Sequence, residues 1–175
     1  MAEPTPSARV VLFRHGPAER RDPARWPDDA LRPLSRKGVQ QTRRAARGLA
    51  RQVEHVTRVA SSPAVRARRS AEILGETLEP PVRPQLWAEL DLGTTAAAIL
   101  PRLRHETGAG RTVVLVGHDP TLSEFLGLAL AAESVAVARL TKAGAACVEF
   151  PRSVRPGSGR LVWLLTRRQL AVGSD

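Results

Sequence analysis

Three short stretches hold residue types that could act together on a phosphoryl group. In the first, the apolar run Val10-Val11-Leu12-Phe13 leads straight into Arg14-His15-Gly16. A neutral imidazole can attack phosphorus, an adjacent guanidinium presents a planar fork of donors to phosphate oxygens, and a glycine lets the backbone come close to a ligand. His15 is thus a candidate nucleophile, Arg14 a candidate phosphate clamp and Gly16 part of the binding turn. In the second stretch, Ser61-Ser62-Pro63 stands just ahead of Arg66. A helix opening there offers free amides and the positive end of its dipole to an anion, and Arg66 adds a fixed charge near Ser62. The third stretch repeats the first: Val113-Val114-Leu115-Val116 runs into Gly117-His118-Asp119-Pro120, so a second histidine stands beside a glycine.

These stretches need a sheet to position them. Apolar runs rich in β-branched residues predict buried strands over 10–13, 56–61 and 112–116, and open α/β sheets bind ligands at the carboxyl ends of such strands. Ser35 reads as an N-cap for a helix with Val39, Thr42, Ala46, Leu49 and Val53 on one stripe, and Ala67, Ala71, Leu74 and Leu78 mark another helix over 64–78. Two more are expected over 94–106, broken or late-starting because of Pro101, and over 121–132. Residues 14–33 read as a loop anchored by Trp26, and 79–92 as a proline-rich segment ending in an edge strand or irregular loop. Further strands are expected over 135–140, 145–150 and 160–165, with turns at Lys142-Ala143-Gly144 and 151–159 and a frayed tail from Thr166. The chain is long enough for one sizeable core and short for two, which predicts a single domain over 1–175.

Composition narrows the function. A net charge of +10 could signal nucleic acid, yet aromatics make up only 3% and offer few stacking platforms. The arginines also spread over several elements, which favours a basic surface that attracts anionic substrates and disfavours a nucleic-acid partner. Arg43, Arg44, Arg47, Arg51, Arg68 and Arg69 are expected to face solvent, as are His55 and His105. Cys147 is the single cysteine, which excludes an internal disulfide and suits a small core residue. The four histidines contain no closely spaced ligand pair, so the chemistry is expected to need no metal and no cofactor. No apolar run is long enough to cross a bilayer, and residues 1–6 lack a charged lead into an apolar core. No membrane partner and a cytoplasmic location are expected.

The order of Arg14-His15-Gly16, Ser62-Pro63 with Arg66, and Gly117-His118, each after a strand, resembles the histidine phosphatase superfamily, also called phosphoglycerate mutase-like, from residue 10 to about 165. Within it, Arg32-Pro33-Leu34-Ser35 with Gly38, Ser61-Ser62-Pro63 with Arg66-Ala67, and Val114-x-Val116-Gly117-His118-x-Pro120 resemble the SixA-type phosphohistidine phosphatases. The resemblance implies an α/β fold, a three-layer α/β/α sandwich with a mostly parallel central sheet, a core over about 8–166 and no large cap domain. It implies that His15 is the nucleophile, that Arg14, Arg66 and His118 surround the phosphoryl group, and that Arg32 touches substrate phosphate. Such guanidiniums would disfavour a second positive charge on His15 and offset charge on the equatorial oxygens, with His118 as a further donor. In longer relatives a carboxylate protonates the leaving oxygen. Glu89 and Asp119 are the two candidates for that general acid here, and neither stands in a full family motif. A phosphohistidine substrate eases the need, since imidazole leaves with less help than an alkoxide.

The leading expectation is a metal-independent phosphatase that forms a phosphohistidine intermediate and removes phosphate from phosphohistidine in a protein. A phosphatase for small esters, such as sugar or nucleotide phosphates, is the enzyme alternative. The alternative from another class is a non-catalytic binder of phosphorylated protein, polyphosphate or nucleic acid. The sequence leaves the oligomeric state open.

Overall fold

Six strands form one sheet in the computed structural model, which describes residues 7–173. They are β1 (Ala8–Arg14), β2 (Val56–Ser61), β3 (Gln85–Leu86), β4 (Thr112–Gly117), β5 (Ala145–Phe150) and β6 (Arg160–Leu165), in the spatial order β3-β2-β4-β1-β5-β6. The neighbours among β1 to β4 are parallel, whereas β5 runs antiparallel to both β1 and β6. The central strands read as unbroken apolar runs because both of their faces are covered. Val10 and Leu12 look one way, into a core with α3 (Ile99–Glu106) and α4 (Thr121–Ala131). Val11 and Phe13 look the other way, against α1 (Arg36–Ala50), α2 (Val65–Thr77) and α5 (Arg167–Leu170). The result is the expected three-layer α/β/α sandwich with a mostly parallel sheet, and no large cap is inserted.

Local signals explain most element boundaries. Ser35 caps α1 through its Oγ, which accepts the Gly38 N–H at 2.9 Å. The helix ends at Ala50, so Val53 lies beyond its stripe. Residues 94–106 start late, as expected: a 3-10 turn at Ala96–Ala98 precedes α3, which takes Pro101 in its first turn, where a missing N–H costs no helical bond. The segment 79–92 resolves into the two-residue edge strand β3 and a 3-10 turn at Ala88–Leu90. Cys147 is buried on β5, and burial pushes its thiol up to about 11, which fits an inert core residue.

Two expectations fail. Residues 135–140 form no strand, although Val135, Val137 and their neighbours alternate in size. Both edges of β5 are taken by β1 and β6, and Val135 and Val137 stay exposed. The backbone of this stretch is used locally instead, with the Leu140 N–H donating to Ser123 Oγ and the Leu140 carbonyl accepting from Arg14. The tail is not frayed at Thr166 either. Thr166 and Gln169 form a capping box that starts α5, which packs on α1, and Leu170 is buried in the core on that face of the sheet.

The topology sets three loops side by side. β4 lies between β2 and β1, in a register that aligns Gly117 with Arg14 and Val116 with Ser61. The His15 N–H donates to the Gly117 carbonyl at 3.0 Å and the Ser62 N–H to the Val116 carbonyl at 2.9 Å. Among the described residues no helix is long and apolar enough to cross a membrane. The expectation about residues 1–6 lies outside the described residues.

Candidate active site

The carboxyl ends of β1, β2 and β4 bring His15, Ser62, Arg66 and His118 together. Their imidazoles, 6% and 5% exposed, lie with ring centroids 5.1 Å apart. His15 Nδ1 is 2.7 Å from the Gly16 carbonyl. A carbonyl only accepts, so Nδ1 carries the hydrogen and Nε2 keeps its lone pair. Toward that lone pair the Arg66 Nε–H donates at 3.3 Å.

Gly16 has a reason different from the one its sequence context suggested. The close approach it permits is to α1: a Cβ there would lie 1.9 Å from Thr42 Oγ1. Its N–H donates to Ser70 Oγ at 3.0 Å, and the Ser70 hydroxyl donates to the Arg66 carbonyl at 2.7 Å. The first turn of α2 is thereby fastened to the nucleophile's own loop.

His118 Nε2 is 2.8 Å from Ser62 Oγ, and its Nδ1 is buried with no partner among the described residues. Ser62 Oγ in turn accepts the Ala64 N–H and lies 3.4 Å from Asp91 Oδ1. Arg14 is held from behind by the Leu140 carbonyl, to which Nη1 donates at 2.8 Å, and by Asp119 at 3.8 Å. Its Nε is also buried, with no partner among the described residues. Two unpaired nitrogens, the Arg14 Nε–H donor and His118 Nδ1, therefore remain beside one imidazole lone pair. Burying donors in this way is costly unless an acceptor meets them, and a tetrahedral oxyanion supplies several acceptors.

The remaining candidates divide. Arg32 reaches the cluster through Asp29: its Nε donates to Asp29 Oδ1 at 2.8 Å, and Nη1 donates to the Glu19 carbonyl. Asp119 lies next to the site, paired with Arg14 and with Arg139 at 3.7 Å, and accepts a short hydrogen bond from Ser123. Glu89 is turned to Arg102, 3.3 Å away, and among the described residues no hydrogen bond or ion pair ties it to the histidines. Asp29, Ser70, Asp91, Lys142 and the Leu140 carbonyl belong to the neighbourhood and were not picked out from the sequence. The one local hint was Asp29 standing three residues before Arg32.

The electrostatics favour neutral imidazoles. His15 is held well below its ordinary value by burial first, then by repulsion from His118, Arg66 and Arg14. His118 is lowered to about 4 by burial and by Arg66, partly countered by Asp91 and Asp29. Burial and the charges of Arg14, Arg32 and Arg66 also lower Lys142, which places its ammonium within the field of all three. Such a site can bind an anion and present an unprotonated nitrogen to it. Among the described residues no group of three or more His, Cys, Asp or Glu side chains is placed to hold a metal ion.

Comparison with known proteins agrees with this arrangement. Residues 10–98 match the family described as the histidine phosphatase superfamily (branch 1). An uncharacterised protein of Picosynechococcus sp. is 37% identical over 117 residues, which are 66% of this chain and 69% of that protein. The structure is similar to that of the protein histidine phosphatase SixA complexed with tungstate, with a TM-score of 0.78 and 24% identity over 93% of this chain and 99% of the other. It is also similar to a mycobacterial glucosyl-3-phosphoglycerate phosphatase, with a TM-score of 0.68 and 20% identity over 91% of this chain and 99% of that one. At these identities the two structural likenesses speak for a shared fold.

Proposed function

This chain belongs to the histidine phosphatase superfamily, and from that premise we propose that it removes phosphate from phosphohistidine in a protein through a phosphorylated His15. The observation that carries the proposal is the His15 Nδ1–H held by the Gly16 carbonyl, which leaves Nε2 as the nucleophilic nitrogen beside the unpaired Arg14 Nε–H and the unpaired His118 Nδ1.

In the proposed reaction, the phosphoryl oxygens accept from Arg14 Nε–H, Arg66 Nε–H and His118 Nδ1–H. That tautomer of His118 requires the Ser62 hydroxyl to turn from Asp91 Oδ1, 3.4 Å away, and donate to His118 Nε2 at 2.8 Å. An incoming phosphoryl oxygen replaces His15 Nε2 as the acceptor of the Arg66 Nε–H while the guanidinium stays in place, and this exchange releases the lone pair for attack. A bond forms between Nε2 and phosphorus while the bond from phosphorus to the substrate ring, protonated on its other nitrogen, breaks, and the electron pair leaves with what is then a neutral imidazole. The phosphorylated His15 keeps its Nδ1–H and becomes cationic, and the Gly16 carbonyl offsets that charge. Water then attacks phosphorus, the bond to Nε2 breaks, and phosphate departs as the proton of water passes to solvent.

Leaving-group chemistry supports phosphohistidine over an ester. An alkoxide needs a proton donor, and Asp29, Asp119 and Glu89 are occupied by cations, while Asp91 meets the Ser62 hydroxyl and the Leu92 N–H. Hydrogen bonding to Arg32 and the charges of Arg66 and Arg32 hold Asp29 below the usual carboxylate range. Asp119 faces Arg14 and Arg139, and Glu89 faces Arg102. A departing imidazole does without such help. The small-ester reading draws support from Lys142, which could meet a second anionic group, and under it Asp119 is the nearer of the two proposed acids. The metal-free proposal is tested by the same assay run with a chelator, which is expected to leave turnover intact.

A phosphohistidine-bearing protein compared with a panel of sugar, nucleotide and aryl phosphates separates the readings. Esters are expected to trail in kcat/KM by about 10²-fold or more, the usual worth of an absent general acid. A metabolite ester preferred over the phosphorylated protein would overturn the assignment.

A further inference from the structure

We propose that Asp29 is a positioning residue of this site, one that locks Arg32 and Arg66 into a single unit and thereby aims the Arg66 Nε–H at His15 Nε2. The proposal rests on the reading of His15 as nucleophile, and it concerns how that nitrogen's main partner is held.

Asp29 opens a 3-10 turn, Asp29–Leu31, in the loop between β1 and α1. It meets Arg66 twice: the backbone carbonyl accepts from Nη1 at 2.6 Å and Oδ2 accepts from Nη2 at 2.9 Å. A guanidinium is a rigid plane, so fixing two of its nitrogens also fixes the direction of the third. That third nitrogen, Nε, points at His15. Among the described residues every hydrogen bond from the Arg66 guanidinium goes either to Asp29 or to His15. The Arg66 side chain is 3% exposed, so water offers little alternative support.

Arg32 completes the unit from the other side. Its Nε meets Asp29 Oδ1 at 2.8 Å and its Nη2 meets Oδ2 at 3.3 Å, a two-point grip that keeps the carboxylate from rotating. The Arg32 Nη1 is fastened in turn to the Glu19 carbonyl at 2.9 Å. Arg32 therefore serves the site through Asp29, a different task from direct contact with phosphate. Arg32 and Arg66 around one carboxylate, with the exposed Arg21 3.9 Å away, leave a net positive charge for the phosphoryl group, while the carboxylate prevents mutual repulsion from splaying them apart. Asp29 also favours the charged form of His118, which agrees with its standing close to the reacting groups.

The test uses the full chain and reads arginine Nε–H signals by heteronuclear NMR, with the Arg66 signal assigned by its loss in Arg66→Lys. In the wild type this proton is expected to exchange with solvent at least about tenfold more slowly than those of exposed arginines, the protection that a buried hydrogen bond gives. In Asp29→Asn and Asp29→Ser that protection is expected to disappear. With an aryl phosphate as probe, kcat is expected to fall about 10–100-fold, the scale of a misplaced catalytic partner, while KM stays within about threefold. A wild-type Arg66 Nε–H that exchanges like a free arginine overturns the proposal whatever the variants do, and so does full protection and full kcat in folded Asp29→Asn. Failure of the nucleophile assignment looks different: aryl phosphatase activity would survive His15→Ala while the NMR signal still reported on the clamp.

Discussion

At the carboxyl end of β1 and β4, His15 and His118 are almost entirely buried and sit among guanidiniums. At the amino end of the same sheet, His55 precedes β2 and His105 closes α3, both in solvent. Arginine divides in the same way. Arg66 is buried and bonded on three nitrogens, whereas Arg58 near the amino end meets Glu106 at 3.0 Å in a pair that water reaches from both sides. One set of residue types thus behaves as chemistry at one end and as surface at the other. What separates them is loss of water together with fixed donors, because burial both lowers the imidazoles and makes each unpaired N–H costly.

Removing one histidine from each end gives the largest contrast. His15→Ala is expected to reduce turnover by about 10³-fold or more, while His55→Ala and His105→Ala leave kcat/KM within about twofold of wild type. Comparable losses at both ends, measured by steady-state kinetics, would erase the distinction.

Acid sharpens the contrast next. His118 titrates at about 4 in the folded chain against an ordinary 6.5, so the unfolded chain binds more protons between those values. Stability is therefore fully present above about pH 6.5 and lost as pH falls toward about 4, at up to about 1.4 kcal/mol per pH unit for one such group. His15 acts in the same direction. Denaturant unfolding across this window is expected to show the decline in wild type, a shallower one in His118→Asn, and the wild-type decline unchanged where only His55 or His105 is replaced.

Packing effects are smaller. Gly16→Ala would drive a methyl into Thr42, whose hydroxyl is already committed to the Gly38 carbonyl, and is expected to cost about 1–3 kcal/mol in the same unfolding experiment. Least of all, Glu106→Gln at the amino end should cost no more than about 1 kcal/mol, as exposed ion pairs do, and leave turnover unchanged.

The legible parts of this molecule were those in which position along the chain dictates position in space. Arg14-His15-Gly16 and Gly117-His118 follow buried strands directly, so naming the strands also places the histidines at one end of the sheet. Ser62 and Arg66 follow by the same logic, with α2 opening just after the turn. Asp29 stayed hidden because its bond to Arg66 spans 37 positions, and nothing in a proline-rich loop announces which carboxylate folds back. Ser70 and the Leu140 carbonyl are likewise joined to the site only by tertiary contact. The alternation over 135–140 misled because period two describes a strand only where a sheet edge is free to receive it. Thr166 and Gln169 did carry a cap signal, which the polar run around them obscured.

His15 Nε2 is the atom expected to take the phosphoryl group. Rapid mixing with substrate, a base quench that preserves phosphoramidates, and intact-mass spectrometry followed by peptide mapping would test it most directly. One phosphoryl adduct on His15 is predicted, present in wild type and absent in His15→Ala. Turnover with no adduct at His15, or an adduct that persists in His15→Ala, would contradict it.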